Sequence, residues 1–212
     1  MSDDIFDTRF ENKEVELSEN LVALGDDINL NAKDPAINDI IIGVGWDLNE
    51  YRGDPVDLDV SVFLLGHDDQ TRKDEDFIFY NQPESENAAV VHKGDNRTGA
   101  GDGDDEVVAV TLNNIPFDVS RVAFVLSVYD AQQKEQDLTS VKGGFLRIAN
   151  ANGFEIARYE FGGDVQGHSE TAMIVTSLAR AGGNWHFRPQ AEFNAGGLGA
   201  IAESFGIVIA GE

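Results

Sequence analysis

The sequence contains no cysteine among its 212 residues. That absence excludes disulfide bonds, thiolate metal sites and redox chemistry by the chain's own thiols. Cations are also scarce: 15 lysine and arginine residues stand against 39 aspartate and glutamate residues, and the net charge is −24. Because cationic side chains supply most of the affinity for phosphate backbones, this balance argues against nucleic-acid binding. Direct docking to an anionic membrane is disfavoured too, unless a cation bridges the two surfaces.

Long apolar runs are missing as well. No stretch approaches the roughly 18 apolar residues that predict a membrane-spanning helix. The first ten residues, MSDDIFDTRF, are acidic and lack the apolar core of a signal peptide. These features predict a soluble, cytoplasmic protein. We expect residues 1–13 to form a disordered acidic tail and residues 14–212 to form one domain, since neither an internal repeat nor a linker is visible.

Signatures of catalysis are absent from the sequence. The four histidines show no paired zinc spacing such as HxxxH. There is no GxSxG nucleophile elbow and no GxxxxGK[ST] phosphate loop. Paired carboxylates can serve hydrolysis, so a metal-dependent, carboxylate-based hydrolase is kept as an alternative. The sequence nevertheless predicts a protein that is not an enzyme.

Short apolar runs separated by Gly, Asn and Asp predict an all-β protein built as a two-sheet sandwich. The runs are Ile40–Trp46, Leu58–Leu65, Phe77–Tyr80, Val107–Leu112, Val122–Tyr129, Phe145–Ala149, Phe154–Phe161 and Thr171–Leu178. Asn152-Gly153 is a strong hairpin signal between two of them. One short C-terminal helix is predicted, because Leu198, Ile201, Ala202 and Phe205 recur at helical spacing and Gly206 follows as a stop.

The most informative segment runs from Gly94 to Glu106 and reads GDNRTGAGDGDDE. It places five acidic residues in one glycine-rich turn, with Arg97 as the only opposing charge. Two like charges ~4 Å apart cost about 4 kcal/mol at an effective dielectric of ~20, so such a loop needs open solvent or a bound cation. Its glycines let the backbone aim several oxygens at one point, which suits a hard divalent ion. This pattern predicts a calcium-type site; a solvated acidic surface without a metal is the alternative.

A second acidic element, Asp57-Leu58-Asp59, opens the run Leu58–Leu65. Residues i and i+2 of a strand point to the same face, so both carboxylates are expected to project together. Neither element is an EF-hand. Although the segment from Asp95 to Glu106 has the length of an EF-hand loop, Arg97, Gly99 and Ala100 occupy key interior positions and the flanks predict strands.

The order of these motifs resembles the TerD family, the tellurium-resistance and stress-response proteins of bacteria. The motifs are GVGWD (43–47), DLDxSxFLL (57–65), DFIFYN (76–81), VVHKGDNRTGxGDGDDE (90–106), VxFVLSVYD (122–130), IARYEF (156–161), ETAMI (170–174) and WxFR (185–188). The resemblance covers about Ile40 to Val208. It implies a β-sandwich whose acidic loops gather at one end, in an arrangement similar to C2 domains, and bind calcium.

The residues matching the family's acidic motifs are the ones that the charge argument selects, with Glu170 of ETAMI as a further match. The predicted metal ligands are Asp57, Asp59, Asp95, Asn96, Asp102, Asp104, Asp105, Glu106 and Glu170. The predicted cofactor is calcium, as two ions, with magnesium as a substitute. The segment LTSVKGGFLR (138–147) departs from the family's usual FGQVxNAFIR, so the partner surface on that edge is expected to differ.

The resemblance implies a calcium-dependent interaction module in a stress-response gene cluster, with other proteins of that cluster as partners. Because the chain has no cysteine, it cannot reduce tellurite through its own thiols. An acidic structural protein without a metal is the remaining alternative.

Overall fold

The computed structural model describes residues 20–47, 55–95 and 103–208. These form twelve β-strands and three short α-helices. The strands are β1 (Leu21–Val22), β2 (Ile28–Asn29), β3 (Asp39–Asp47), β4 (Leu58–Leu65), β5 (Phe77–Ile78), β6 (Val90–Asp95), β7 (Glu106–Thr111), β8 (Arg121–Val128), β9 (Lys142–Asn150), β10 (Glu155–Tyr159), β11 (Ala172–Ala181) and β12 (Asn184–Asn194). The helices are α1 (Leu30–Lys33), α2 (Ala131–Lys134) and α3 (Gly197–Ser204).

The strands form two six-stranded sheets. The first has the order β1-β10-β9-β3-β7-β6 and the second the order β2-β12-β11-β8-β4-β5. Neighbouring strands are antiparallel, except that β1 pairs with β10 in parallel. The two-sheet sandwich predicted from the sequence is therefore confirmed. The Asn152-Gly153 hairpin is confirmed too, because it joins β9 to β10 and Gly153 has a φ of 80°.

Period-two alternation positions the core between the sheets. In β4, Leu58, Val60, Val62 and Leu64 belong to the main core cluster, while Phe63 and Leu65 face the other way. In β8, the even-numbered residues from Val122 to Val128 also belong to the main core cluster. Successive residues of both strands therefore alternate between the main core and the opposite face of the second sheet.

Helix α3 covers the outer face of the second sheet. Ile201, Ala202 and Phe205 pack with Phe63 and Leu65 in a second apolar cluster. Gly206, at a φ of 88°, follows the helix, as predicted. Within the described ranges no helix is long and apolar enough to cross a membrane.

Two strands are shorter than predicted. β5 ends at Ile78 because Phe79 and Gln82 exchange backbone hydrogen bonds and turn the chain. β10 spans only Glu155–Tyr159. The predicted acidic tail, residues 1–13, lies outside the described residues.

Candidate metal centre

Acidic residues from both sheets lie at one end of the sandwich. Asp57 and Asp59 stand at the start of β4, and Glu106 opens β7, where its backbone pairs with Val44 and Asp95. Of the other predicted ligands, Asn96 and Asp102 lie outside the described residues, and for Asp95 only the backbone is described.

Trp46 connects the two acidic elements. Its backbone N–H donates to Oδ2 of Asp105 over 2.9 Å, and its indole Nε1–H donates to the carbonyl of Val56 over 3.2 Å. Val56 immediately precedes Asp57. Asp105 in turn donates its own backbone N–H to the carbonyl of Val44 over 2.7 Å. The end of β3 therefore fixes the start of β7 and the start of β4 relative to each other.

Asp104 is held by a cation from the neighbouring strand. Arg147 of β9 donates Nε–H and Nη2–H to the two oxygens of Asp104, each over 2.7 Å. This bidentate pair raises the pKa of Arg147, chiefly through the hydrogen bonds to Asp104. Arg147 lies opposite Gly43 in the β9–β3 register, and a Cβ at Gly43 would overlap the Asp104 carboxylate. The first glycine of GVGWD thus leaves space for the ion pair.

We expect Gly43→Ala to displace Asp104 and break its pair with Arg147, lowering the free energy of unfolding by about 1–3 kcal/mol. Urea unfolding monitors the loss. Gly183→Ala is the matched control, because a Cβ at Gly183 would meet nothing within 4 Å. Equal stability of the two variants would contradict a structural role for the ion pair.

Asp105 is buried beside other carboxylates. Burial raises the pKa of Asp105, the Trp46 N–H opposes that shift, and the charges of Asp104 and Asp47 raise the pKa further. The deprotonated form is therefore destabilised in the folded protein. A cation near this end would relieve part of that cost.

Glu106 forms an ion pair inside the sandwich. Nε2 of His92, on β6, lies 3.1 Å from Oε2 of Glu106, and the two side chains are only 4% and 1% exposed. Burial lowers the pKa of His92, but hydrogen bonding and attraction to Glu106 outweigh it, so that the pKa is raised overall. The Val60 carbonyl and the charge of Asp59 add to this effect. His92 therefore connects the acidic start of β7 to the start of β4 across the two sheets.

The raised pKa of His92 predicts a pH dependence of stability. The pair contributes fully below the ordinary histidine pKa of ~6.5, and its contribution is lost as pH rises through the higher pKa of the folded state. We expect the free energy of unfolding to fall over this interval in the unmodified protein and to fall less in His92→Gln. An NMR titration of the His92 ring protons with a midpoint at or below ~6.5 would contradict the prediction.

The remaining described acids also have protein neighbours. Oδ2 of Asp57 lies 3.9 Å from Nζ of Lys134 in α2. Glu170 precedes β11, and its Oε2 lies 3.3 Å from Nδ1 of His168. The His168 ring stacks on Phe193 with their centroids 3.6 Å apart.

The predicted calcium site is only partly covered by the structure. Within residues 20–47, 55–95 and 103–208, no three His, Asp or Glu side chains form a group that could hold a metal ion. Carboxylate and amide oxygens are suitable donors for calcium. Of the loop residues that would complete the set with Asp57 and Asp59, Asn96 and Asp102 lie outside the described residues, and only the backbone of Asp95 is described. Calcium binding therefore stays a prediction.

Sequence reasoning missed three residues that organise this end: Trp46, His92 and Arg147. Each was visible inside a motif, in GVGWD, VVHKGD and GGFLR respectively. The two partners of Trp46 lie 10 and 59 residues away in the sequence, and the partner of Arg147 lies 43 residues away. Arg97 is therefore not the only cation that opposes the acidic segment.

Comparison with known proteins places this site in a family. The TerD domain model matches residues 20–205. The chain is 40% identical to the tellurium resistance protein TerD of Serratia marcescens over 184 residues, covering 86% of this chain and 95% of that protein. It is also 40% identical to general stress protein 16U of Bacillus subtilis (strain 168), covering 89% of this chain and 97% of that protein.

A solved structure supports the same fold. A homologue of telluride resistance protein (TerD) from Streptomyces coelicolor A3(2) superposes with a TM-score of 0.63 and 18% identity, covering 79% of this chain and 96% of that one. The sequence matches and the shared sandwich agree with the resemblance seen in the motifs. This chain belongs to the TerD domain family of tellurium-resistance and stress-response proteins.

Proposed function

We propose that this protein is a non-enzymatic stress-response module that binds calcium through its acidic end and presents a metal-dependent surface to other proteins. The observation that carries the proposal is the double contact of Trp46. It ties Asp105 to the residue preceding Asp57 and so brings the two acidic elements to one end. Relatives named for tellurium resistance and general stress support the stress-response part.

The described contacts divide the predicted ligands into acids that would anchor the loop and residues that would coordinate the ion. Asp104, Asp105 and Glu106 are engaged by Arg147, Trp46 and His92. In our proposal these three acids anchor the C-terminal end of the acidic loop. We assign direct coordination to Asp57 and Asp59, together with the loop residues Asp95, Asn96 and Asp102, and keep Glu170 as a further ligand.

Repulsion between carboxylates would make the conformation of the acidic loop depend on a bound metal. The carboxylates at this end repel one another, as the effect of Asp104 and Asp47 on the Asp105 pKa indicates. When bound, calcium would supply positive charge and oxygen coordination, and two ions would cancel four negative charges. The anchored acids would then hold the loop in one conformation. The proposed partners are other proteins of the same stress response, which recognise that conformation.

Calorimetric titration of the chelated protein with calcium tests the proposal. We expect saturable binding that Asp57→Asn with Asp59→Asn weakens at least about tenfold, equivalent to ~1.4 kcal/mol. Asp68→Asn with Asp69→Asn makes the same change in charge at two exposed positions, and should leave the affinity unchanged. An equal loss of affinity in both double variants would refute a specific site.

Magnesium provides a second arm of the titration. Magnesium requires near-ideal octahedral geometry and fits crowded carboxylate sites poorly, so we expect weaker binding than for calcium. Equal affinity for both ions would mean that nonspecific charge attraction accounts for the binding.

A further inference from the structure

A groove runs along the edge of the first sheet, beside the acidic end. It consists of two adjoining cavities of ≈490 and ≈450 Å³ that share Glu160. Glycines form the floor of the first cavity: Gly162 donates its N–H to the carbonyl of Gly144 over 2.9 Å. A Cβ at Gly162 would lie 2.7 Å from the Gly144 nitrogen. The close approach of the turn after β10 to β9 therefore requires glycine and leaves the floor free of side chains.

The second cavity combines apolar side chains with acids. Leu21 of β1 and Leu24 are 45% and 50% exposed beside it. Asp26, Glu160 and Asp164 line the same cavity. Asp26 accepts a hydrogen bond from the Ala23 N–H over 2.8 Å, and Asp164 accepts one from the Tyr159 hydroxyl over 2.6 Å. Both carboxylates are thus held in place by neutral donors.

These acids are not neutralised by the described part of the chain. Among its residues, no lysine, arginine or histidine forms an ion pair with Asp26, Glu160 or Asp164. Two cations on the adjacent strands have other partners. Arg158 pairs with Glu155 and lies over the Phe145 ring, and Lys142 contacts the Gln166 side chain.

We propose that this groove is a docking site for an extended segment of a partner protein that carries lysine or arginine next to apolar side chains. Charge complementarity selects this occupant: the carboxylates attract the cations, and the exposed leucines bury the apolar side chains. An acidic segment would meet like charge at three positions. None of the predicted metal ligands lines the groove, so docking here does not require calcium and goes beyond the proposed function.

Fluorescence anisotropy of a labelled peptide, Lys-Leu-Arg-Leu-Lys, with the full chain tests the proposal. We expect binding that persists with a chelator present and is weaker for Lys-Ser-Arg-Ser-Lys and absent for Glu-Leu-Glu-Leu-Glu. Leu24→Ser with Glu160→Gln should weaken it at least about tenfold. The matched control is Phe117→Ser with Glu203→Gln, which removes one exposed apolar side chain and one exposed acid elsewhere.

Three results would overturn the proposal. If the groove variant and the control variant lost peptide affinity equally, the peptide would be attracted only by the net charge of the chain. Failure of the peptide to bind would mean that no such partner fits, including the case in which residues 1–19 of this chain fill the groove. Dimerisation that Leu24→Ser weakens, without peptide binding, would assign the groove to a second copy of the chain.

The docking proposal and the proposed metal function can fail separately. Loss of calcium binding with peptide binding retained would refute only the proposed metal function.

Discussion

Replacing Trp46 with alanine is expected to lower the free energy of unfolding by about 3–5 kcal/mol, because it removes a large side chain from the core. Trp46 is only 4% exposed and belongs to the main core cluster. The substitution also removes the indole donor to Val56, which links the end of β3 to the start of β4. We therefore expect weaker calcium-induced stabilisation in addition to the lower stability, both measurable by urea unfolding.

Trp185 provides the matched control at the opposite end of the sandwich. It is 6% exposed and lies near the start of β12, where its backbone pairs with Arg180. Trp185→Ala should cost a similar amount of stability while leaving the response to calcium intact. Trp46→Phe keeps an aromatic ring but leaves the Val56 carbonyl without its donor, which should cost about 1–3 kcal/mol. If both alanine variants responded equally to calcium, Trp46 would not organise the site.

Removal of the His92 side chain is expected to destabilise the fold by about 3–5 kcal/mol, because the buried Glu106 carboxylate would lose its ion pair with His92. The side chains of His92 and Glu106 are both almost completely buried. The measurement is chemical unfolding of His92→Ala near neutral pH. A second variant, His92→Gln with Glu106→Gln, replaces the ion pair with two neutral groups that can still form a hydrogen bond. It should recover most of the lost stability.

A double-mutant cycle separates the pair from general packing effects. The losses of stability caused by His92→Gln alone and by Glu106→Gln alone should add up to more than the loss caused by the double variant. That difference would reveal favourable coupling between the two side chains. Strict additivity would mean that the two side chains contribute independently. In that case the connection between β6 and the start of β4 would not depend on the charge of His92.

Local pattern was sufficient to predict most of the fold. β4 matches its predicted bounds because Leu58, Val60, Val62 and Leu64 alternate with a second face that α3 covers. β1 and β2 could not be predicted, since each has two residues and too little alternation to detect. The order of strands in the sheets also escaped prediction, because it depends on pairings between segments distant in sequence.

The sequence showed which residues of the candidate site are acidic, but it did not show which side chains contact them. A sequence shows that Asp104 and Glu106 carry charge, yet it does not show which strand will lie beside them. Arg147 reaches Asp104 only because β9 and β7 flank β3 in the first sheet and Gly43 lies between them. The sequence thus predicted where charge accumulates, whereas the sheet register determines which charges are compensated.

Thermal unfolding of the chelated protein, followed by calcium or magnesium at matched ionic strength, tests the central claim most directly. At a calcium concentration one hundred times the Kd, one site contributes ~2.7 kcal/mol. For a chain of this size the midpoint should therefore rise by roughly 5–11 °C. At the same calcium concentration the rise should be at most about half as large in Asp57→Asn with Asp59→Asn, because a tenfold weaker site contributes only ~1.4 kcal/mol. No rise, or one that sodium reproduces, would contradict calcium binding and leave the acidic end as a solvated surface.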